Sequence, residues 1–283
     1  MTAITTTNVL DPQALTSIRA RLQAGAMLRD LAKEAGLSWQ RLHGLIYKGL
    51  PTGGSGPRLH ARKTTGPLSE KYRPVTLADL VGQPEAVDVL TKFAQAPHSA
   101  SFLFDGETGT GKTSAALALA NALGCDLSQS PQEFGGVYTI SSGEQTPDSV
   151  KECYRLMYNT PWHGSGWKVV VVNEADRMSG PAETVWLDRL EQLPKNTVVI
   201  FTTNHPEKLS ARFIDRSTRL TFVSNADAQH SPAFHLAVKI WKAETGKKPA
   251  ARDIQEIVKA TEQDGKISFR RLVQALTVAI AKA

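Results

Sequence analysis

Ser101-Phe102-Leu103-Phe104, then Gly106-Glu107-Thr108-Gly109-Thr110-Gly111-Lys112-Thr113, then an Ala/Leu-rich run from Ser114 to Leu123 follow one another in the chain, and their order decides the fold. The first piece predicts a short buried strand and the last a helix, so the glycine-rich piece is a strand-to-helix loop. It matches GxxxxGK[ST] in the context that pattern requires. Glycines let backbone N–H groups close around phosphate oxygens, and the helix N-terminus adds its dipole. In such a loop Lys112 would reach the β- and γ-phosphates of a nucleotide, and Thr113 would bind Mg²⁺.

Working outward, Lys168-Val169-Val170-Val171-Val172 is a valine run bounded by polar residues, which predicts a central strand of a parallel sheet. It ends in Asn173-Glu174-Ala175-Asp176, and groups at the C-terminal ends of parallel strands form the active edge. Asn173 is therefore expected near the metal, and Glu174 where it can polarise an attacking water. A third strand from Thr197 to Thr202 delivers Thr203-Asn204 to the same edge, where Asn204 is either a site residue or a strand-end cap. From residue 227 onward, Leu236, Ile240 and Trp241, then Ile254, Ile257 and Val258, then Leu272, Val273, Leu276 and Ile280 recur at helical spacing. They predict a helical C-terminal domain over 227–283, with these residues as its core.

The 283-residue chain carries a net charge of +6. Residues 1–69 hold nine basic and three acidic residues, so this segment accounts for the whole net charge. Asp11-Pro12 starts a helix, Gly25 closes it, a second runs from about Met27 to Ala35, and Ser38 caps a third. Gly36 falls in the tight turn between the second and third, where positive φ is needed. This pattern predicts a helix-turn-helix domain over 1–50. The face of its third helix would present Ser38, Trp39, Gln40, Arg41, His43 and Lys48 to double-stranded DNA, or alternatively to a protein. Residues 51–69, rich in Gly, Pro and Thr, predict a flexible basic linker. No run of 18 apolar residues occurs, which excludes a helical membrane span. The Thr-rich start has no secretory pattern, and Cys125 and Cys153 are too few for a structural zinc site, so a cytoplasmic location is expected.

Glu70-Lys71-Tyr72-Arg73-Pro74, Leu77-Ala78-Asp79-Leu80-Val81-Gly82-Gln83, the Gly106–Thr113 loop, Asn173–Asp176, Thr203-Asn204, Asp215-Arg216-Ser217 and Ser268-Phe269-Arg270 occur in that order. Together they make residues 70–283 resemble the AAA+ ATPases, specifically the clamp-loader group of replication factor C small subunits and bacterial tau/gamma subunits. The resemblance implies an α/β fold: a P-loop AAA+ core over 70–226 with a parallel five-stranded sheet, helices on both faces, and a helical lid over 227–283. It implies ATP and Mg²⁺ as cofactors, with Tyr72, Arg73, Pro74, Val81 and Gly82 around the adenine. It also implies that Asn204 is the sensor 1 residue, Arg270 the sensor 2 residue, and Arg216 a finger acting on ATP in a neighbouring subunit. Glu174 and Lys112 complete the catalytic set, and Thr113 and Asn173 the metal set. Gly106, Glu107, Thr108, Gly109, Thr110, Gly111, Lys112 and Thr113 complete the nucleotide set.

The sequence departs from that family in four places. Asn173 stands where the family has Asp, and a neutral amide holds a metal-bound water less strongly than a carboxylate. Asp215 and Ser217 flank Arg216 in place of the Ser-Arg-Cys pattern, with Arg212 and Arg219 nearby. The match ends at the lid, before the collar of clamp loaders, and the N-terminal domain is foreign to their small subunits. Three functions follow from the sequence. One is a clamp-loader-like ATPase acting in replication, as a homo-oligomeric ring on double-stranded DNA. The second is a transposition-targeting ATPase, forming helical filaments that recruit a recombination protein. The third is a non-hydrolysing ATP switch.

Overall fold

The computed structural model of the chain describes residues 34–36, 66–128 and 132–282. The chain divides into two units, Met1–Arg58 and Leu59–Ala283. In the first, the described residues are Glu34–Gly36, and Gly36 has φ +64°, the conformation the expected turn demands. The expected recognition residues Ser38, Trp39, Gln40, Arg41, His43 and Lys48 lie outside the described residues, as does most of the expected linker.

The second unit is built on a five-stranded sheet. Its strands are β1 (Ala100–Gly106), β2 (Val137–Ile140), β3 (Lys168–Val172), β4 (Thr197–Thr203) and β5 (Thr218–Phe222). Their spatial order is β2-β3-β4-β1-β5, and every pairing is parallel. The valine run of β3 shows why such strands read as unbroken apolar stretches. Val169 and Val171 enter one core and Val170 and Val172 the other, so no position faces water.

Helices α1 (Leu68–Lys71), α2 (Pro84–Gln95) and α3 (Lys112–Ala122) precede β2. The first core packs α2 and α3 on one sheet face, through Ala86, Leu90, Ala115 and Leu119 against Phe102, Phe104, Val198 and Ile200. Alanine dominates the inward side of α3, so the helix lies close against the strands. The second core covers the other face with α4 (Pro147–Leu156), α5 (Gly180–Leu190) and α6 (Ala211–Asp215). Trp186 of α5 and Phe213 of α6 meet Phe201 edge-on at 5.1 and 4.7 Å. Local chemistry fixes these helix starts. Thr146, Ser179 and Ser210 accept hydrogen bonds from the first turn, and Pro147 and Pro181 occupy positions where no N–H is needed. Cys125 and Cys153 are buried free thiols, and burial pushes both up to about 12.

The lid comprises α7 (Ala226–Thr245), α8 (Ala251–Ala260), a hairpin of β6 (Glu262–Gln263) and β7 (Lys266–Ile267), and α9 (Phe269–Ile280). All the periodic apolar positions read from the sequence enter one lid core, and Tyr72 joins them from beyond α1. The hairpin is a feature that the helical reading of 227–283 lacks. Asp264 and Gly265 both have positive φ, the backbone of a two-residue turn that an Asp-Gly pair favours. No helix among the described residues is long and apolar enough to cross a membrane.

Candidate functional site

A cavity of about 460 Å³ opens between the core and the lid. Its floor is the loop from Thr108 to Thr113, its rear the strand ends at Asn173, Glu174, Thr202 and Asn204. One wall is Tyr72, Arg73, Pro74, Leu80 and Val81; the lid supplies Leu236, Phe269, Arg270 and Val273. Eight predicted nucleotide residues, Tyr72, Arg73, Pro74, Val81, Thr108, Gly109, Thr110 and Gly111, therefore converge on it, with Lys112 and Thr113.

Three further predicted residues border the cavity without walling it. Gly106 sits where β1 meets β5, and a Cβ there would strike the Phe222 carbonyl. The Gly82 carbonyl accepts from buried Gln229 of α7 at 2.6 Å, so this residue belongs to the core–lid joint. Glu107 is ion-paired with Lys266 of the lid, and this pairing is the main cause holding its carboxyl below the usual range. The lid is also seated directly on the loop: the Phe269 N–H donates to the Gly109 carbonyl at 3.0 Å. A side chain at Gly109 would run into Ser268, and its φ of +80° excludes most residues in any case.

The Lys112 ammonium lies inward, 8% exposed. It donates to the carbonyls of Gly106 and Glu107 at 2.7 and 2.8 Å and to Asn204 Oδ1 at 2.8 Å. Burial, the largest cause, pulls it down to about 8. Arg270 pushes the same way, while Glu107, Asp105 and Asp176 oppose it. Asn204 is oriented by donating to Thr108 Oγ1 at 3.1 Å, so the side chain at the end of β4 links Lys112 to the loop.

At the end of β3, Asn173 Oδ1 accepts from Thr113 Oγ1 at 3.1 Å and from Thr202 Oγ1 at 3.5 Å. Buried Gln145 donates to the carbonyls of both Asn173 and Glu174. Glu174, at φ +52°, directs its carboxylate toward Ser142 Oγ, which donates to it, and toward Arg177 at 3.0 Å. Ser142 was not among the sequence candidates. The available signal was strand β2: a strand ending at Ile140 places the following serines on the same sheet edge as Asn173.

Arg216 lies outside the cavity. Its guanidinium pairs with Glu191 and donates to the Arg212 carbonyl at 3.2 Å. Its carbonyl accepts from Ser101 at the opposite end of β1 from the phosphate loop. Arg219, its neighbour in sequence, pairs with Asp105 within the chain.

Comparison with known proteins places this geometry. Residues 82–226, just over half of the chain, match the family model described as DNA polymerase III, delta subunit. The chain belongs to that family. It is similar to the replication factor C small subunit of Saccharolobus solfataricus, 33% identical over 54% of this chain and 46% of the relative. It is also similar to the replication factor C small subunit of Halobacterium salinarum, 28% identical over 75% of this chain and 62% of the relative. The chain thus spans about half the length of the curated relatives it matches. Among solved structures, a Thermotoga maritima RuvB mutant shares the fold with a TM-score of 0.57, at 14% identity, over 75% of this chain and 68% of that one. The chain is a clamp-loader-like member of the AAA+ class, with the five-stranded parallel sheet and C-terminal helical part of that fold.

Proposed function

We propose that this chain is a Mg²⁺-dependent ATPase of the clamp-loader type that assembles on double-stranded DNA in replication or mobile-element DNA metabolism. The observation that carries this reading is the convergence on one core–lid cavity of Lys112, Thr113, Asn173, Glu174, Asn204 and Arg270. A triphosphate suits the residues present. Lys112 is already held by three oxygen acceptors and would exchange two loop carbonyls for phosphate oxygens. Thr113 and Asn173 offer neighbouring oxygens, the hard donors Mg²⁺ takes, and the ion would supply charge neutralisation on the phosphates. Glu174 would leave Ser142 and Arg177 to orient a water and accept its proton. Tyr72, Arg73, Pro74 and Val81 would flank the base, Gly82 would set the joint beside it, and Arg270 would report nucleotide to the lid. Arg216 of a second copy would complete the site, so turnover would depend on a homo-oligomer, in a cytoplasmic setting. The N-terminal residues Ser38, Trp39, Gln40, Arg41, His43 and Lys48 would hold DNA as a helix-turn-helix.

One observation favours a second reading. Asn173 brings no negative charge to the Thr113 hydroxyl it holds, which suits a slow ATPase or a switch that binds ATP without turning it over. ATP hydrolysis measured with and without DNA decides between them. Turnover in the parent that Glu174→Gln abolishes supports the motor; ATP binding without turnover supports the switch. Electron micrographs with DNA and a slowly hydrolysed ATP analogue separate a closed ring from a transposition-type filament.

A further inference from the structure

Asp105 is the last side chain before the phosphate loop, and it is a carboxylate only 5% exposed. By strand alternation it shares the sheet face of Ser101 and Leu103, away from the α2–α3 core. Arg219, on edge strand β5, meets it with both ends of the guanidinium, Nε at 3.0 Å and Nη2 at 2.8 Å. Thr221, two residues further along β5, donates to it at 3.0 Å. The very next carbonyl, that of Gly106, is the one Lys112 holds at 2.7 Å. A buried carboxylate therefore directly precedes the residue whose carbonyl holds the ammonium that the proposed function assigns to triphosphate. Left alone, it would compete with phosphate for that ammonium.

We propose that Arg219 is a positioning residue for nucleotide binding: by neutralising Asp105 beneath the loop, it leaves the charge of Lys112 free for the triphosphate. The inference rests on the ATP reading of the cavity and adds to it a residue on β5 that touches no nucleotide. Coulombic attraction between Asp105 and Lys112 is already present with Arg219 in place. Asp105 itself is buried, so removing the cation paired with it leaves its charge uncompensated and strengthens that attraction.

A double-mutant cycle tests this, with MgATPγS affinity read by calorimetry for Arg219→Met, Asp105→Asn and the pair. Arg219→Met is expected to weaken binding about tenfold, and adding Asp105→Asn to restore it to within about threefold of the parent, the coupling expected of contacting charges. Asp105→Asn alone is expected to bind as tightly as the parent or more tightly. This arm also decides the matter if Arg219→Met fails to fold. Unchanged affinity in Arg219→Met overturns the proposal. So does equal weakness in the double variant, which would make Arg219 a sheet fastener only, or weakened binding in Asp105→Asn alone. If the parent binds no nucleotide, the ATP reading falls, and a crystal structure of nucleotide-free Arg219→Met becomes the test. Lys112 Nζ drawn onto Asp105 supports the charge relation; Lys112 still on the Gly106 and Glu107 carbonyls overturns it.

Discussion

Raising the pH should release ATP from this site, because the lysine that would grip it is held near its titration point. The ordinary lysine value of 10.5 is pulled down to about 8 for Lys112, chiefly by burial. A triphosphate placed against it adds negative charge, so its value in the complex must rise. The free form then binds fewer protons than the complex at any pH between the two values. Binding takes up protons there, and affinity is greatest below about pH 8. Near pH 8 the free lysine is half protonated, so uptake should be about half a proton per ATP. Above it, affinity should fall by up to about tenfold per pH unit, or 1.36 kcal/mol. The nucleotide-free protein follows the same shift. Its folded value lies below the unfolded one, so the lysine costs stability at neutral pH, and that cost is relieved as pH rises from about 8 to 10.5. Calorimetric titration with ATP in buffers of different ionisation enthalpy measures the uptake directly, and Lys112→Arg, which does not titrate in this range, is the control. Affinity flat from pH 7.5 to 9.5 in the parent, or uptake undiminished in Lys112→Arg, would refute the reasoning.

Further outcomes follow from other parts of the structure. Asn173→Asp supplies a carboxylate behind Thr113 and should raise turnover by about tenfold and lower the Mg²⁺ concentration needed; steady-state rates against Mg²⁺ check this. Trp186→Ala removes the fully buried α5 side chain that packs edge-on against Phe201 and should cost about 3–5 kcal/mol of stability, read by denaturant unfolding. Deleting residues 1–69 removes the whole net charge of +6, so DNA binding should weaken and its salt dependence flatten. Unchanged affinity would assign that segment to a protein partner.

The parts of the fold legible in the sequence were those written in local patterns. The phosphate loop between β1 and α3, the Val run of β3 and the periodic apolar positions of the lid all signal themselves within ten residues or so, and all stand where they were expected. Strand β2, with one exposed position in four, and strand β5, with three exposed positions, carry no such signal. They are edge strands, and only their neighbours define them. Ser142 was hidden for that reason, since its approach to Glu174 depends on the β2–β3 register. Asp105 and Arg219, more than a hundred residues apart, meet only because β1 and β5 pair. The β6–β7 hairpin did carry a local mark, Asp264-Gly265, but it lay inside a stretch whose dominant period was helical. Arg216 was placed by resemblance alone. Within the chain it meets Glu191, and what it meets in an assembly depends on a second copy.

The claim on which the rest depends is that a triphosphate sits on the loop from Gly106 to Thr113 beneath Arg270. The most direct measurement is calorimetric titration of MgATPγS into the parent protein and into Lys112→Ala, with folding of both verified. One site per chain in the parent, weakened about a hundredfold or more in the variant, is the result expected for loss of a buried cation–phosphate contact. No binding in the parent, or equal binding in both proteins, would contradict it.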